Sequence, residues 1–258
     1  MVRTHQVAPH SRYTIDLSRE VGPGQDAATS VASTLPVVVE RPMYFGAPSK
    51  GTAICIDPGH SGRDGSEIDP DTGLNVGDNT GAEGELQANW DLALRARRLL
   101  QDAGYTVVLT KQSVNEYVSL KERARIGNTC ALTVRMHHDP SGFTGVMRPP
   151  LGAARCPSSD PARITVVDAA VAAQSDRLAR AVAPGMGLAV KDDTGGTSQG
   201  NSTPPGHPTC LIGSVLSHVP VICIENRTIV TVPEEYDRAM DAYLGGLVKG
   251  IGSFLGSD

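Results

Sequence analysis

Residues 51–62 read G-T-A-I-C-I-D-P-G-H-S-G, a β-branched run cut off by Asp57-Pro58-Gly59 and followed at once by His60. Pro58 lacks the N–H that a strand ladder needs and Gly59 accepts a tight turn, so the strand ends at this point. His60 is thereby placed at the carboxyl end of a strand. In open α/β sheets ligands bind at that edge, which makes His60 a candidate metal ligand or catalytic base. A lone loop histidine is more often a plain surface residue, so the reading depends on partners elsewhere in the chain.

Outward from this strand the pattern alternates. Residues 85–101 carry Leu86, Trp90, Ala93, Leu94, Arg97 and Leu100 at helical spacing, and Gly104 follows as a stop signal. Residues 105–110 read as a strand, 120–128 as a short helix and 131–137 (A-L-T-V-R-M-H) as a third strand. A helix rich in Ala and Val is expected over 164–183, with Pro184 just past its end. Residues 219–225 (V-P-V-I-C-I-E) form a nearly unbroken apolar strand, as expected where both faces are covered. A last helix begins near Thr231, whose spacing to Glu234 fits a capping box, and repeats Tyr236, Met240, Leu244, Leu247, Ile251 and Leu255. The alternation predicts an α/β fold with a mainly parallel twisted sheet flanked by helices on both faces. The Gly/Ser/Thr/Pro-rich tract 192–207 reads as a long surface loop.

The first fifty residues differ from the rest. Residues 12–17 and 33–45 look like two strands without helical periodicity, and 46–51 (G-A-P-S-K-G) reads as a linker. The expected organisation is a short β-rich N-terminal segment over 1–50 and a main domain over 51–258. With 40% hydrophobic but only 4% aromatic residues, the core must be built from Val, Ile, Leu and Ala. A net charge of −5 without a cluster of Lys or Arg gives no reason to bind nucleic acid. No apolar stretch is long enough to span a bilayer, and residues 1–12 have no hydrophobic core like a signal peptide's, so an export signal is not visible. Five cysteines cannot all pair with one another. Cys55 and Cys223 lie in apolar strand patterns and read as buried thiols, while Cys156 and Cys210 flank the Gly/Pro-rich region and could pin it with a disulfide.

Three strands end in residues suited to chemistry: His60, the pair His137 and His138, and Glu225. If these strands are parallel, the three ends collect on one edge of the sheet. Glu85 joins them as the first polar residue of a helix, where a carboxylate also suits the helix dipole. Two histidines and a carboxylate make a good zinc set with a fourth position open for water, and the second carboxylate would serve as base. Hydrolysis of an amide is the natural reaction class. Each residue also has a bland reading: Glu85 as a helix-end charge, Glu225 as a strand-end carboxylate paired with Arg227, the histidines as solvated. Four such accidents at one sheet edge are a poorer account than a site.

The ordered succession I-C-I-D-P-G-H-S-G, Glu85 with Asn89, L-L-Q-D-A-G-Y-T-V-V-L-T-K, V-S-L-K-E-R-A-R-I-G-N and V-R-M-H resembles zinc-dependent N-acetylmuramoyl-L-alanine amidases of the amidase-3 type, from about residue 52 to the C-terminus. That resemblance implies His60, Glu85 and His137 as zinc ligands, with His138 as the fallback for His137, and Glu225 as the catalytic carboxylate. It implies peptidoglycan as substrate, cut at the amide joining the lactyl group of N-acetylmuramic acid to L-alanine. Departures from the family pattern are Arg135 in place of a small residue, His138 with Asp139 at the rim, and Asn226 with Arg227 after the catalytic Glu. Asp57 either orients His60 from behind or caps the turn.

The leading expectation is a monomeric wall-degrading enzyme, from a host remodelling its wall or a phage lysin, acting extracellularly or in the cell wall. The alternatives are a non-catalytic peptidoglycan-binding surface module, and a zinc peptidase, against which the absence of H-E-x-x-H counts.

Overall fold

The computed structural model describes residues 52–138, 144–151, 155–156, 165–193, 211–226 and 233–256, together with residue 4 and residues 32–34. The chain divides into two units, Met1–Tyr44 and Phe45–Asp258, and the strands and helices of the α/β fold belong to the second. The expected N-terminal strands, most of the 192–207 loop, Thr231, Cys210 and the side chain of Cys156 lie outside the described residues.

Strand β1 (Ala53–Pro58) is followed by helix α1 (Glu85–Asp102), β2 (Thr106–Leu109), α2 (Leu120–Gly127), β3 (Leu132–His138) and β4 (Gly145–Arg148). Then come β5 (Arg155–Cys156), β6 (Thr165–Val166), α3 (Ala169–Met186), β7 (Val190–Asp192), α4 (Ile212–Val215), β8 (Val221–Asn226) and α5 (Pro233–Leu255). The main sheet has the order β2-β1-β3-β8-β4-β7, and β5 pairs with β6 separately. β2, β1, β3 and β8 are mutually parallel. β4 runs antiparallel to β8 and parallel to β7. The sheet is therefore mixed but mainly parallel, as the sequence predicts.

The two faces of the sheet differ in character because side chains alternate along a strand. One face carries Ile54, Ile56, Leu132, Val134, Met136, Ile222 and Ile224, all buried against Leu92, Ala93, Ala96 and Leu100 of α1, Leu178 and Val182 of α3, and Met240, Leu244 and Ile251 of α5. The registers Cys55↔Thr133, Asp57↔Arg135, Arg135↔Cys223 and His137↔Glu225 put a polar row on the other face, under α2 and α4. β1 and β8 read as nearly unbroken apolar runs because this row starts in them with Cys55 and with Val221 and Cys223, and becomes charged only near the strand ends at Asp57 and Glu225.

Local chemistry fixes the helix ends. Ser119 accepts a hydrogen bond from the Glu122 N–H at the start of α2, and Asp168 accepts from the Ala170 and Val171 N–H groups at the start of α3. The helix expected over 164–183 is shifted: Thr165 and Val166 form a strand, and α3 continues through Pro184 to Met186 before Gly187, at φ 68°, ends it. Pro184 is exposed, so the Arg180 carbonyl that loses its helical donor remains accessible to water. The extra turn brings Gly185 against α5, where a Cβ on Gly246 would lie 2.0 Å from the Gly185 carbonyl oxygen.

The cysteine expectation needs correction. Cys55 is not a thiol: it is disulfide-bonded to Cys130, with Cα atoms 5.6 Å apart. Parallel pairing of β1 with β3 starts at Ile54↔Leu132, and this brings the segment just before β3 alongside β1. Cys223 is a buried free thiol, as expected.

Candidate metal centre

Residues that leave their elements at one edge of the sheet meet there. His60 Nε2 lies 2.9 Å and His137 Nδ1 3.2 Å from the same Glu85 oxygen, Oε1. The ring centroids of His60 and His137 are 4.8 Å apart at 78°. One ligand atom from each of the three residues lies within 4.8 Å of the others. Two imidazole nitrogens and a carboxylate oxygen in this arrangement could hold a metal ion with one position open. The backbone is shaped to the rings: a Cβ on Gly59 would lie 2.4 Å from the His137 ring, and one on Gly81, which has φ 70°, would lie 2.5 Å from that of His60.

Burial alone would raise the Glu85 carboxyl, but hydrogen bonds with His137 and His60 outweigh it and hold its pKa far below the carboxylate range. His60 shows the converse. Burial lowers its pKa, yet the Glu85 carboxylate raises it on balance. The centre is thus arranged around shared positive charge, which a divalent cation would supply more strongly than a proton.

Among the described residues His60 is the one non-glycine with positive φ, at 67°. That conformation costs an L-residue roughly 1–2 kcal/mol, and the surroundings hold it. Arg123 of α2 donates from Nη2 to the His60 carbonyl at 2.7 Å and from Nη1 to the Pro58 carbonyl at 2.6 Å. The same guanidinium pairs with Asp57 at 2.6 Å and Asp78 at 3.0 Å, while its Nε donates to the Val118 carbonyl. Lys111 Nζ donates to the His60 carbonyl at 2.8 Å.

Asp57 neither orients the His60 ring nor caps the turn. Its buried carboxylate accepts from Arg123, Arg135 and the Thr110 hydroxyl. Burial pushes its pKa up, and Arg123, Arg135 and Thr110 together bring it down to about 2. Arg135 is likewise buried on the polar face, where Gly213 makes room: a Cβ there would sit 2.7 Å from Nη1. No sequence signal distinguishes Arg123 from a solvated helix arginine.

His138 points away from the centre. Its Nδ1 is 2.9 Å from Asn89 Oδ1 and its Nε2 3.3 Å from Asn226 Nδ2, so it is not among the three residues that could hold a metal, whereas His137 is. Burial lowers its pKa to about 4, so it is neutral near pH 7. Asn89 also reaches the Gly59 carbonyl at 3.4 Å, which ties α1 to the turn before His60. Glu225 stands next to His137 in the β3–β8 register, half-buried, with its Oε1 3.9 Å from Cys223 Sγ. Arg227 lies outside the described residues.

The sequence matches the N-acetylmuramoyl-L-alanine amidase family, amidase-3, over residues 54–244. The chain belongs to this family. The amidase also shares its fold with solved structures. The N-acetylmuramyl-L-alanine amidase Ami1 from Mycobacterium smegmatis aligns at 22% identity and a TM-score of 0.53, covering 81% of this chain and 98% of that one. Ami1 from Mycobacterium abscessus aligns at 24% identity and 0.50, covering 80% and 99%. No curated protein matches the sequence. The family assignment makes the chain a peptidoglycan amidase, and among its described residues no helix is long and apolar enough to cross a membrane.

Proposed function

We propose that this amidase is zinc-dependent, with His60, Glu85 and His137 as the ligands, and that it hydrolyses the amide between the lactyl group of N-acetylmuramic acid and L-alanine. The observation that carries this reading is the convergence of two imidazole nitrogens on one Glu85 oxygen, at 2.9 and 3.2 Å, in a chain of this family. Bound zinc supplies Lewis acidity, which polarises a carbonyl oxygen and acidifies water. Glu225, beside His137 in the sheet, takes the proton of the attacking water and passes it to the departing L-alanine nitrogen. The strand pair β3–β8 keeps that carboxylate next to the proposed metal ligands.

The working location is outside the cytoplasm, in or near the cell wall. The substrate is there, and the Cys55–Cys130 disulfide supports it, because such bonds persist in oxidising compartments. All four residues come from one chain, so the proposed site needs no residue from a second copy. Metal analysis of the purified protein tests the centre: one zinc per chain, lost in His60→Ala and His137→Ala but kept in His138→Ala, is expected. Zinc retained by His137→Ala and lost by His138→Ala would overturn the ligand assignment.

A further inference from the structure

We propose that Lys111 and Arg123 are positioning residues, a two-cation clamp on the His60 main-chain carbonyl that aims the imidazole at the metal centre. The inference rests on the reading of His60 as a ligand.

A metal-binding histidine is usually oriented by a hydrogen bond at the ring nitrogen that does not face the metal. At His60 that device is weak among the described residues. Its Nε2 faces Glu85, and its buried Nδ1 makes no well-formed hydrogen bond, the Asn79 backbone acting on the ring without one. The main chain supplies the orientation. The peptide that follows His60 is held at both ends: its oxygen accepts from Lys111 Nζ at 2.8 Å and Arg123 Nη2 at 2.7 Å, and its N–H, that of Ser61, donates to the Asn79 carbonyl at 2.9 Å. The preceding turn is fixed by Gly59 N–H donating to the Met136 carbonyl at 2.9 Å. With both flanking segments tied and Gly81 against the ring, the left-handed backbone at His60 is imposed by its surroundings, and so is the direction of Cβ.

Lys111 is the more telling of the two cations. It is 1% exposed, and among the described residues its hydrogen bonds go to the His60 and Val114 carbonyls and not to a carboxylate. Its ammonium also lies 6.0 Å from the centre of the Trp90 ring. Burying an ammonium is costly, and the carbonyl contacts are what this one gains. Arg123 also neutralises Asp57 and Asp78, so its loss would disturb folding itself. Lys111 separates the clamp from that network.

The test measures zinc affinity by chelator competition for the full chain and for Lys111→Met, Arg123→Lys and Ser175→Ala. Ser175 is buried away from the centre and accepts from the Val221 N–H, so its variant reports general destabilisation. The clamp predicts that Lys111→Met weakens zinc binding by about 10- to 100-fold, that Arg123→Lys weakens it less, and that Ser175→Ala binds as the parent does. Binding by Lys111→Met that is unchanged or tighter overturns the proposal, as does an equal loss in Ser175→Ala. Crystal structures of the metal-free proteins give a second readout. His60 is expected to leave the left-handed region in Lys111→Met, and its retention there overturns the clamp whatever the zinc result. A parent protein that binds no zinc would instead count against the ligand reading.

Discussion

His137 of β3 and Glu225 of β8 are direct neighbours in a parallel register, on the same face of the sheet. One is turned to Glu85 and the other is not part of the three-residue metal group. In the proposed mechanism the sheet therefore separates a ligand from a base by one strand spacing. Glu225→Gln preserves size and backbone and should leave zinc affinity nearly unchanged while lowering kcat by about 10²- to 10⁴-fold. Parallel measurements of metal content and turnover check this; loss of zinc in the variant would make Glu225 a ligand.

The Cys55–Cys130 bridge closes a 75-residue separation that contains both His60 and Glu85. Constraining a loop of that length in the unfolded chain contributes about 4 kcal/mol. For a domain of this size that corresponds to a fall in Tm of roughly 10 °C on reduction or in the Cys55→Ala/Cys130→Ala variant. Calorimetry with and without reductant reads the shift, and an unchanged Tm would contradict it.

Asp57 titrates at about 2 in the folded protein against 3.8 for a free aspartate. A carboxyl with a depressed folded pKa contributes stability that is present above 3.8 and is lost as pH falls through about 2. The contribution is about 2 kcal/mol. Denaturant unfolding from pH 6 to pH 2 should show this loss, and Asp57→Asn should be less stable at pH 6 yet flatter with pH. An identical slope in the variant would show that Asp57 does not contribute it.

Adjacent glycines of α5 should respond oppositely to alanine. A Cβ at Gly246 meets the Gly185 carbonyl of α3 at 2.0 Å, and one at Gly245 meets nothing within 4 Å. Gly246→Ala should destabilise by about 1–3 kcal/mol through forced separation of the helices. Gly245→Ala should stabilise by roughly 0.5–1 kcal/mol through helix propensity. Equal effects would mean that α3 and α5 do not cross this closely.

His60, Glu85 and His137 are legible in the sequence because each stands where it marks the end of an element: after Asp-Pro-Gly, at a helix start, and at the close of an apolar strand. The parallel order of β1, β3 and β8 follows from the alternation of strands and helices. Arg123 and Asp57 are not legible as a pair, because a helix arginine reads as solvated until α2 is packed over β1. Cys55–Cys130 depends on the same kind of long-range pairing. Strand β4 is four residues, G-V-M-R, with no alternation to reveal it or its antiparallel direction. Pro184 reads as a stop because its missing N–H breaks a helical bond, but its exposed position at the last turn makes that loss tolerable.

The most direct test of the account is mass spectrometry of the products released from purified peptidoglycan by the protein as isolated, after chelation, and after zinc is restored. The account predicts stem peptides with free L-alanine amino termini and glycan strands stripped of peptide, lost on chelation and regained with zinc. Cleavage that persists without metal, or products cut at another bond, would contradict it.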